Sequence, residues 1–295
     1  MLMDNVLNSV DWVVKDGMKK NLNTTIHWRW NSQSTVSDAT FKGTGAEMVC
    51  HISFYKKYWH IVGLDVTAVV LSILFLSRCL QKMNFTHIVL IPKKNNPQRI
   101  TEYRPVNLSN IVSRIVSKMF ANRLKMVLLN VISNSQSAFV PNRLITDNTT
   151  VAFEMLHHMR NRRHGKIGHK AVKLDISKAY DRVEWAFLRK IVLRLGLSEQ
   201  WVDLAMETVC TTSYSILING EPKGFITSSH CIRQSDPLSP YLFLLCAKGL
   251  SFMLQKAIES QQLQGLLSCQ GGVRISHLLF ADDTLLFCEA HTREC

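Results

Sequence analysis

The stretch Phe280-Ala281-Asp282-Asp283-Thr284-Leu285-Leu286-Phe287 decides how this chain is read. His277-Leu278-Leu279 runs into it from the N-terminal side. Short apolar runs broken by two turn-prone aspartates predict a β-hairpin carrying its charges at the tip. Far upstream, Asp175 follows Ala171-Val172-Lys173-Leu174, a run that predicts a strand ending in a carboxylate. Carboxylates on adjacent strand ends form a divalent-metal site suited to phosphoryl or nucleotidyl transfer. Asp175 and Asp282 are 107 residues apart, so only neighbouring strands could bring them together. Taken alone, the Asp282-Asp283 pair fits a solvent-exposed turn equally well.

Composition narrows the class of partner. The 295 residues are 46% hydrophobic and 19% charged, the make-up of a folded chain that buries a core. Lys and Arg number 35 against 22 Asp and Glu, a formal charge of +13 that favours a polyanionic partner. The basic residues cluster: Gln81–Lys125 holds nine with one acid, and Arg160–Lys190 holds ten with three. Interleaved with apolar segments, two such patches suit the walls of one groove, although each alone also suits a solvated surface. Eight cysteines form no Cys-x-x-Cys pair, which predicts free thiols in a reducing compartment. No signal peptide opens the chain, and Val66–Leu76 is too short to span a bilayer, so a buried helix and no membrane partner are expected.

Along the chain, residues 1–50 give no clear periodicity, and Asn21–Thr44 is expected to be irregular. A helix is expected over Val66–Cys79 and a strand over Thr86–Ile91, stopped by Pro92. A turn at 93–97 and the extended Tyr103–Val106 complete a hairpin on which Lys93 and Arg104 could meet phosphates. Two basic residues near a turn are also an ordinary surface feature. The 3.6-residue apolar period predicts a helix over Asn110–Val131. Ser133–Arg143 should be a loop plugged by Ala138-Phe139-Val140, followed by a helix over Asp147–Arg160. Helices are expected over Val183–Leu195, closed by Gly196, over Ser198–Cys210, and over Tyr241–Glu259 with Pro240 in its first turn. Tyr214–Ile218 followed by Asn219-Gly220 is a strong hairpin signal, with a short return strand near Gly224–Thr227. Gln261–Gly272 is polar and glycine-bearing. The expected class is α+β.

Six segments together resemble the reverse transcriptase domain of plant non-LTR, LINE-type retrotransposons. They are His87–Leu108, Ala121–Leu124, Ser135–Asn148, Lys173–Trp185 (KLDISKAYDRVEW), Arg233–Phe243 (RQSDPLSPYLF) and Leu278–Phe287, in the family's order. The resemblance covers about residues 54–290. It implies a right-hand polymerase with fingers and palm around an antiparallel palm sheet, fingers-like over 51–170 and palm-like over 171–295. It further implies an RNA-directed DNA polymerase using two Mg²⁺ or Mn²⁺ ions, a DNA primer on an RNA or DNA template, and dNTPs. Asp175, Asp282 and Asp283 match the metal-binding carboxylates. Lys93 and Arg104 match basic residues near the triphosphate, Tyr180 the bulky residue under the incoming sugar, and Gln234 the residue near the nascent base pair. Nuclear access is a family expectation.

The chain departs from that pattern in three places. Ser235 stands where the family has glycine. A left-handed backbone there would strain a serine by about a kcal/mol. Phe41–Met48 replaces a glycine- and proline-rich block, and the chain stops at Cys295 before a lysine-bearing palm segment and a thumb. The expectation is therefore either an incomplete polymerase domain or an inactive remnant that still binds nucleic acid. A structural domain without any nucleic-acid role is the third class.

Overall fold

A computed structural model of the chain describes residues 46–76, 80–162, 168–267 and 272–290. The irregular segment expected over Asn21–Thr44, and the altered block as far as residue 45, lie outside the described residues. Helix α1 (Ala46–Leu76) begins well before the expected Val66 and is kinked at Tyr58 (φ −108°, ψ 18°). A single turn, α2 (Leu80–Met83), leads into β1 (Phe85–Pro92). Strand β2 (Tyr103–Ser109) returns antiparallel, with Ile91 opposite Arg104 and Pro92 opposite Tyr103. Pro92 is the last residue of its strand, where a missing N–H is tolerated.

Helix α3 (Ile111–Val131) starts where its cap dictates, with the Asn110 carboxamide accepting from the Val112 amide. Its buried stripe of Ile115, Val116, Met119, Phe120, Leu124, Val127 and Leu128 is the spine of the core. Helix α4 (Ile145–Asn161) and strand β3 (His169–Asp175) follow. Helix α5 (Trp185–Arg194) ends just before Gly196, whose φ is +91°. Helix α6 (Glu199–Cys210) is capped by Ser198. Strands β4 (Ser213–Ile218) and β5 (Glu221–Thr227) meet at Asn219-Gly220, both at positive φ as a two-residue hairpin of this kind requires. The return strand is longer than its apolar residues suggested, because backbone pairing extends through the exposed Glu221-Pro222-Lys223.

Helix α7 (Ser239–Glu259) carries Pro240 in its first turn. Short strands β6 (Leu266–Leu267) and β7 (Arg274–Ile275) pair across the polar segment where none was expected. The chain then forms β8 (His277–Phe280) and β9 (Asp283–Glu289).

The architecture is α+β, with a mixed four-stranded sheet, order β2-β1-β4-β5, and an antiparallel three-stranded sheet, order β3-β9-β8. Strands β1 and β4 run parallel, a pairing between segments remote in sequence that local periodicity cannot announce. The main core lies among helices: α3 packs with Val70, Ile73 and Leu74 of α1, Leu188 and Ile191 of α5, Trp201 of α6, and Leu242, Leu244 and Leu245 of α7. Phe120 meets Trp201 edge to face at 5.6 Å. A smaller cluster of Met155, Leu266, Leu278 and Phe287 fastens α4 to the three-stranded sheet. Within the loop before α4, Ala138 and Val140 are buried as expected, but Phe139 is half exposed at φ +56°. Two helical stretches, Lys57–Leu74 and Ser239–Glu259, are long and apolar enough to cross a membrane. Both also supply buried residues to the helical core, as core helices of this composition do.

Candidate active site

The chain reverses at Ala281-Asp282, with Phe280 opposite Asp283 and Phe287 locked into the small core behind. The turn is therefore displaced by one residue from the aspartate pair, and Asp283 begins β9 while Asp282 occupies the tip. Ala281 holds φ +53°, a strained choice for a residue with a Cβ. Neighbouring chain supports that turn. The buried Gln136 carboxamide oxygen accepts from the Ala281 amide at 3.1 Å and the Ala138 amide at 3.0 Å. Asn148 donates to the carbonyls of Ser135 and Leu279, each at 2.8 Å. Arg143 donates to the carbonyls of Ser133 and Gln136, holding the loop in shape. A small cavity beside Gln136, Lys248, Ser251 and Leu279 has room for about one water at roughly 10 Å³.

On the other side of β9 lies β3, and the register sets Asp175 opposite Asp283. The Ile176 amide donates to the Asp282 carbonyl at 3.4 Å, which keeps the turn beside the end of β3. Residues directly opposite share a sheet face, so Asp175, Asp283 and Lys173 project together. Lys173 reaches diagonally, and its ammonium lies 2.9 Å from an Asp283 oxygen. That contact, strengthened by the Asp175 and Asp282 charges, holds the Lys173 ammonium above the ordinary lysine range. Both partners are open to solvent (66% and 46% exposed), so the pair itself adds little stability.

Tyr180 follows on a 3₁₀ turn (Ala179–Arg182), with its ring 5.5 Å from that of Phe243 on α7. Burial, with Asp282 and Tyr241 nearby, pushes its phenol up to about 12. The backbone carbonyl of Tyr180 accepts from the Ile232 amide, joining this turn to the loop 231–238. That loop ties the 3₁₀ turn to the four-stranded sheet and α3. Gln234 offers its carbonyl to the Asn107 side chain of β2 at 3.2 Å. Buried Arg233 donates to Asn84 at the foot of β1 and to Thr212. Buried Asp236 accepts from Ser117 of α3 and from the Leu238 amide, each at 2.9 Å. Ser235 sits between them at φ +65°, exposed, in the left-handed region that favours glycine. Ser235→Gly is expected to gain about 0.5–1 kcal/mol, the relief of strain less the added freedom of the unfolded chain. Urea unfolding checks this, and an unchanged or lowered midpoint contradicts it.

Lys93, in the loop that closes the β1–β2 hairpin, and Arg104, beside that loop on β2 of the other sheet, stand exposed. The Lys93 ammonium donates to the Thr101 carbonyl of its own hairpin at 3.1 Å. The site thus gathers Asp175, Asp282, Asp283, Lys173 and Tyr180, with Gln234 on the adjoining loop.

The family described as reverse transcriptase (RNA-dependent DNA polymerase) matches residues 91–294. The chain belongs to the reverse transcriptase family. The chain is similar to the uncharacterized 149 kDa protein of transposon TX1 from Xenopus laevis, 28% identical over 93% of this chain and 20% of that protein. It is similar to the Pol polyprotein of the type-2 retrotransposable element R2DM from Drosophila melanogaster, 27% identical over 68% of this chain and 18% of that one. An uncharacterized mitochondrial protein of Arabidopsis thaliana is 49% identical over 26% of this chain and 62% of its own length. The chain spans less than two thirds of each of these relatives.

For a reverse transcriptase-family site the donor chemistry is suitable, since carboxylate oxygens suit Mg²⁺ and Mn²⁺. Among the described residues no three His, Cys, Asp or Glu side chains lie close enough to share one ion. Asp175 and Asp283 are brought opposite each other, and a lysine of the same strand occupies an oxygen of one of them. Sequence reasoning passed over Lys173, Gln136 and Arg233 as functional residues. The β3 alternation that places Asp175 also places Lys173 on the same face, which was the available signal for that residue. Gln136 has no such signal, because its partner Ala281 is 145 residues away.

Proposed function

We propose that this reverse transcriptase-family chain binds a nucleic-acid duplex through its basic surface and does not polymerise as it stands. The observation that carries this reading is the Lys173–Asp283 contact, a carboxylate matched to cation binding that is instead held by the chain's own ammonium. The lack of three convergent acidic ligands among the described residues supports it, as does a serine at φ +65° in the adjoining loop. The charge of +13 and the exposed Lys93, Arg99, Arg104, Lys178 and Arg182 supply phosphate contacts that need no metal.

A second reading is favoured by the register that sets Asp175 opposite Asp283. In it the chain is an RNA-directed DNA polymerase of fingers and palm. Asp175, Asp282 and Asp283 would hold two Mg²⁺ or Mn²⁺ ions once Lys173 gives way. Those ions would supply Lewis-acid stabilisation of the phosphate being transferred. Lys93 and Arg104 would bind the triphosphate, Tyr180 would exclude a 2′-hydroxyl by bulk, and Gln234 would pack near the nascent base pair.

Fluorescence anisotropy of a labelled RNA–DNA hybrid is expected to show binding that weakens about 100–1,000-fold between 50 and 200 mM salt, the slope for about five phosphate contacts. Incorporation of dNTP on poly(rA)–oligo(dT) with Mg²⁺ or Mn²⁺ is expected not to exceed that of Asp282→Asn. Incorporation abolished by Asp282→Asn would establish the second reading. Absence of hybrid binding at 50 mM salt would sink the first.

A further inference from the structure

We infer that Lys173 serves as a built-in cation for the carboxylate turn, standing in for a divalent ion and competing with it. The inference rests on the proposed reading that the chain binds duplex without polymerising, and explains how part of the charge at its acidic end is balanced. Asp175 and Asp283 face each other across β3 and β9, and two like charges so placed repel each other unless a cation relieves them. Strand alternation puts Lys173 on the face of Asp175, two residues before it, and the antiparallel register puts Asp283 within the reach of a four-carbon side chain. The observed separation of 2.9 Å is that of a direct ammonium–carboxylate hydrogen bond. Among the described residues the ion pair to Asp283 comes from this lysine. An ion entering between Asp175 and Asp283 must displace the ammonium or accept a like charge a few ångströms away. Either course lowers affinity for the ion.

The test measures Mn²⁺ binding directly, by the free-ion electron paramagnetic resonance signal, in the wild-type chain and in Lys173→Met, Lys173→Arg and Lys173→Met/Asp283→Asn. A divalent ion about 5 Å from a unit charge in water feels a repulsion worth roughly tenfold in affinity. Lys173→Met is therefore expected to bind Mn²⁺ about tenfold more tightly than the wild type, with Lys173→Arg close to wild type. The double variant is expected to lose the gain. Equal Mn²⁺ affinity in wild type and Lys173→Met overturns the inference, and so does a gain that persists without the Asp283 carboxylate. Lys173 is exposed and outside the core, so its replacement is not expected to disturb folding, which circular dichroism checks. Hybrid binding and dNTP incorporation are read separately on the same preparations, so failure of the proposed function is told apart from failure of this inference.

Discussion

Asp236→Ala is expected to cost about 3–5 kcal/mol of folding free energy, the penalty for leaving a buried charge without its partner. The carboxylate is 7% exposed and accepts from Ser117 and the Leu238 amide, with the Arg233 guanidinium 3.9 Å away. Arg114 lies in the same field, and burial lowers its affinity for a proton while Asp236 raises it. Removing Asp236 would therefore strand two guanidinium groups whose buried nitrogens already include some without hydrogen-bond partners. The same residue would free the Ser117 hydroxyl and the Leu238 amide inside the junction of α3, the 231–238 loop and α7. Since a domain holds only about 5–15 kcal/mol in total, a loss of this size should be plain in urea unfolding. Asp236→Asn keeps an acceptor for the Leu238 amide and should cost less. A change below about 1 kcal/mol for Asp236→Ala would mean that water already neutralises the cluster.

Gln136→Leu is expected to cost about 2–4 kcal/mol, because one carboxamide oxygen serves two amides that would both lose their partner. The effect should be local as well as global. Ala281 sits at positive φ in the turn that carries Asp282, and its amide is fixed by Gln136 from outside the hairpin. Hydrogen exchange should show the Ala281 amide losing protection beyond what the fall in global stability accounts for. Gln136→Glu keeps the acceptor, and the carboxamide nitrogen it replaces has no hydrogen-bond partner, so this variant should protect Ala281 far better than leucine does. Equal loss of protection in both variants would show that the volume of the side chain matters and its oxygen does not.

The parts of this fold that were legible in the sequence are those fixed by local chemistry. Alternating apolar residues around Asp282-Asp283 gave the β8–β9 hairpin. The 3.6-residue apolar period gave α3, and Asn219-Gly220 gave the β4–β5 turn at two positive φ values. The α+β class followed from those elements. The boundaries of α1 and the pairing of β6 with β7 were not legible, because packing and backbone pairing set them with no sharp punctuation in the residues. At the site, Asp175 could be assigned to the end of a strand, but its partner in β9 depended on register. Register also brings Lys173 diagonally onto Asp283, and a list of candidate ligands does not contain that information. The turn was one residue off because two aspartates look like a turn, whereas cross-strand pairing of Phe280 with Asp283 assigns it to Ala281-Asp282.

The parallel contact of β1 with β4 imposes an order on synthesis. His87 on β1 meets Ser215 on β4 at 2.8 Å across 128 residues of sequence. A ribosome must therefore deliver β4 before the first sheet can gain its third strand, and β9 before β3 has any partner at all. Closing loops of this length is slow, and the β1–β2 ribbon waits meanwhile with an open edge able to pair with another nascent chain. Production of the chain should accordingly depend on chaperone supply and on slow translation at low temperature more than the depth of its helical core suggests.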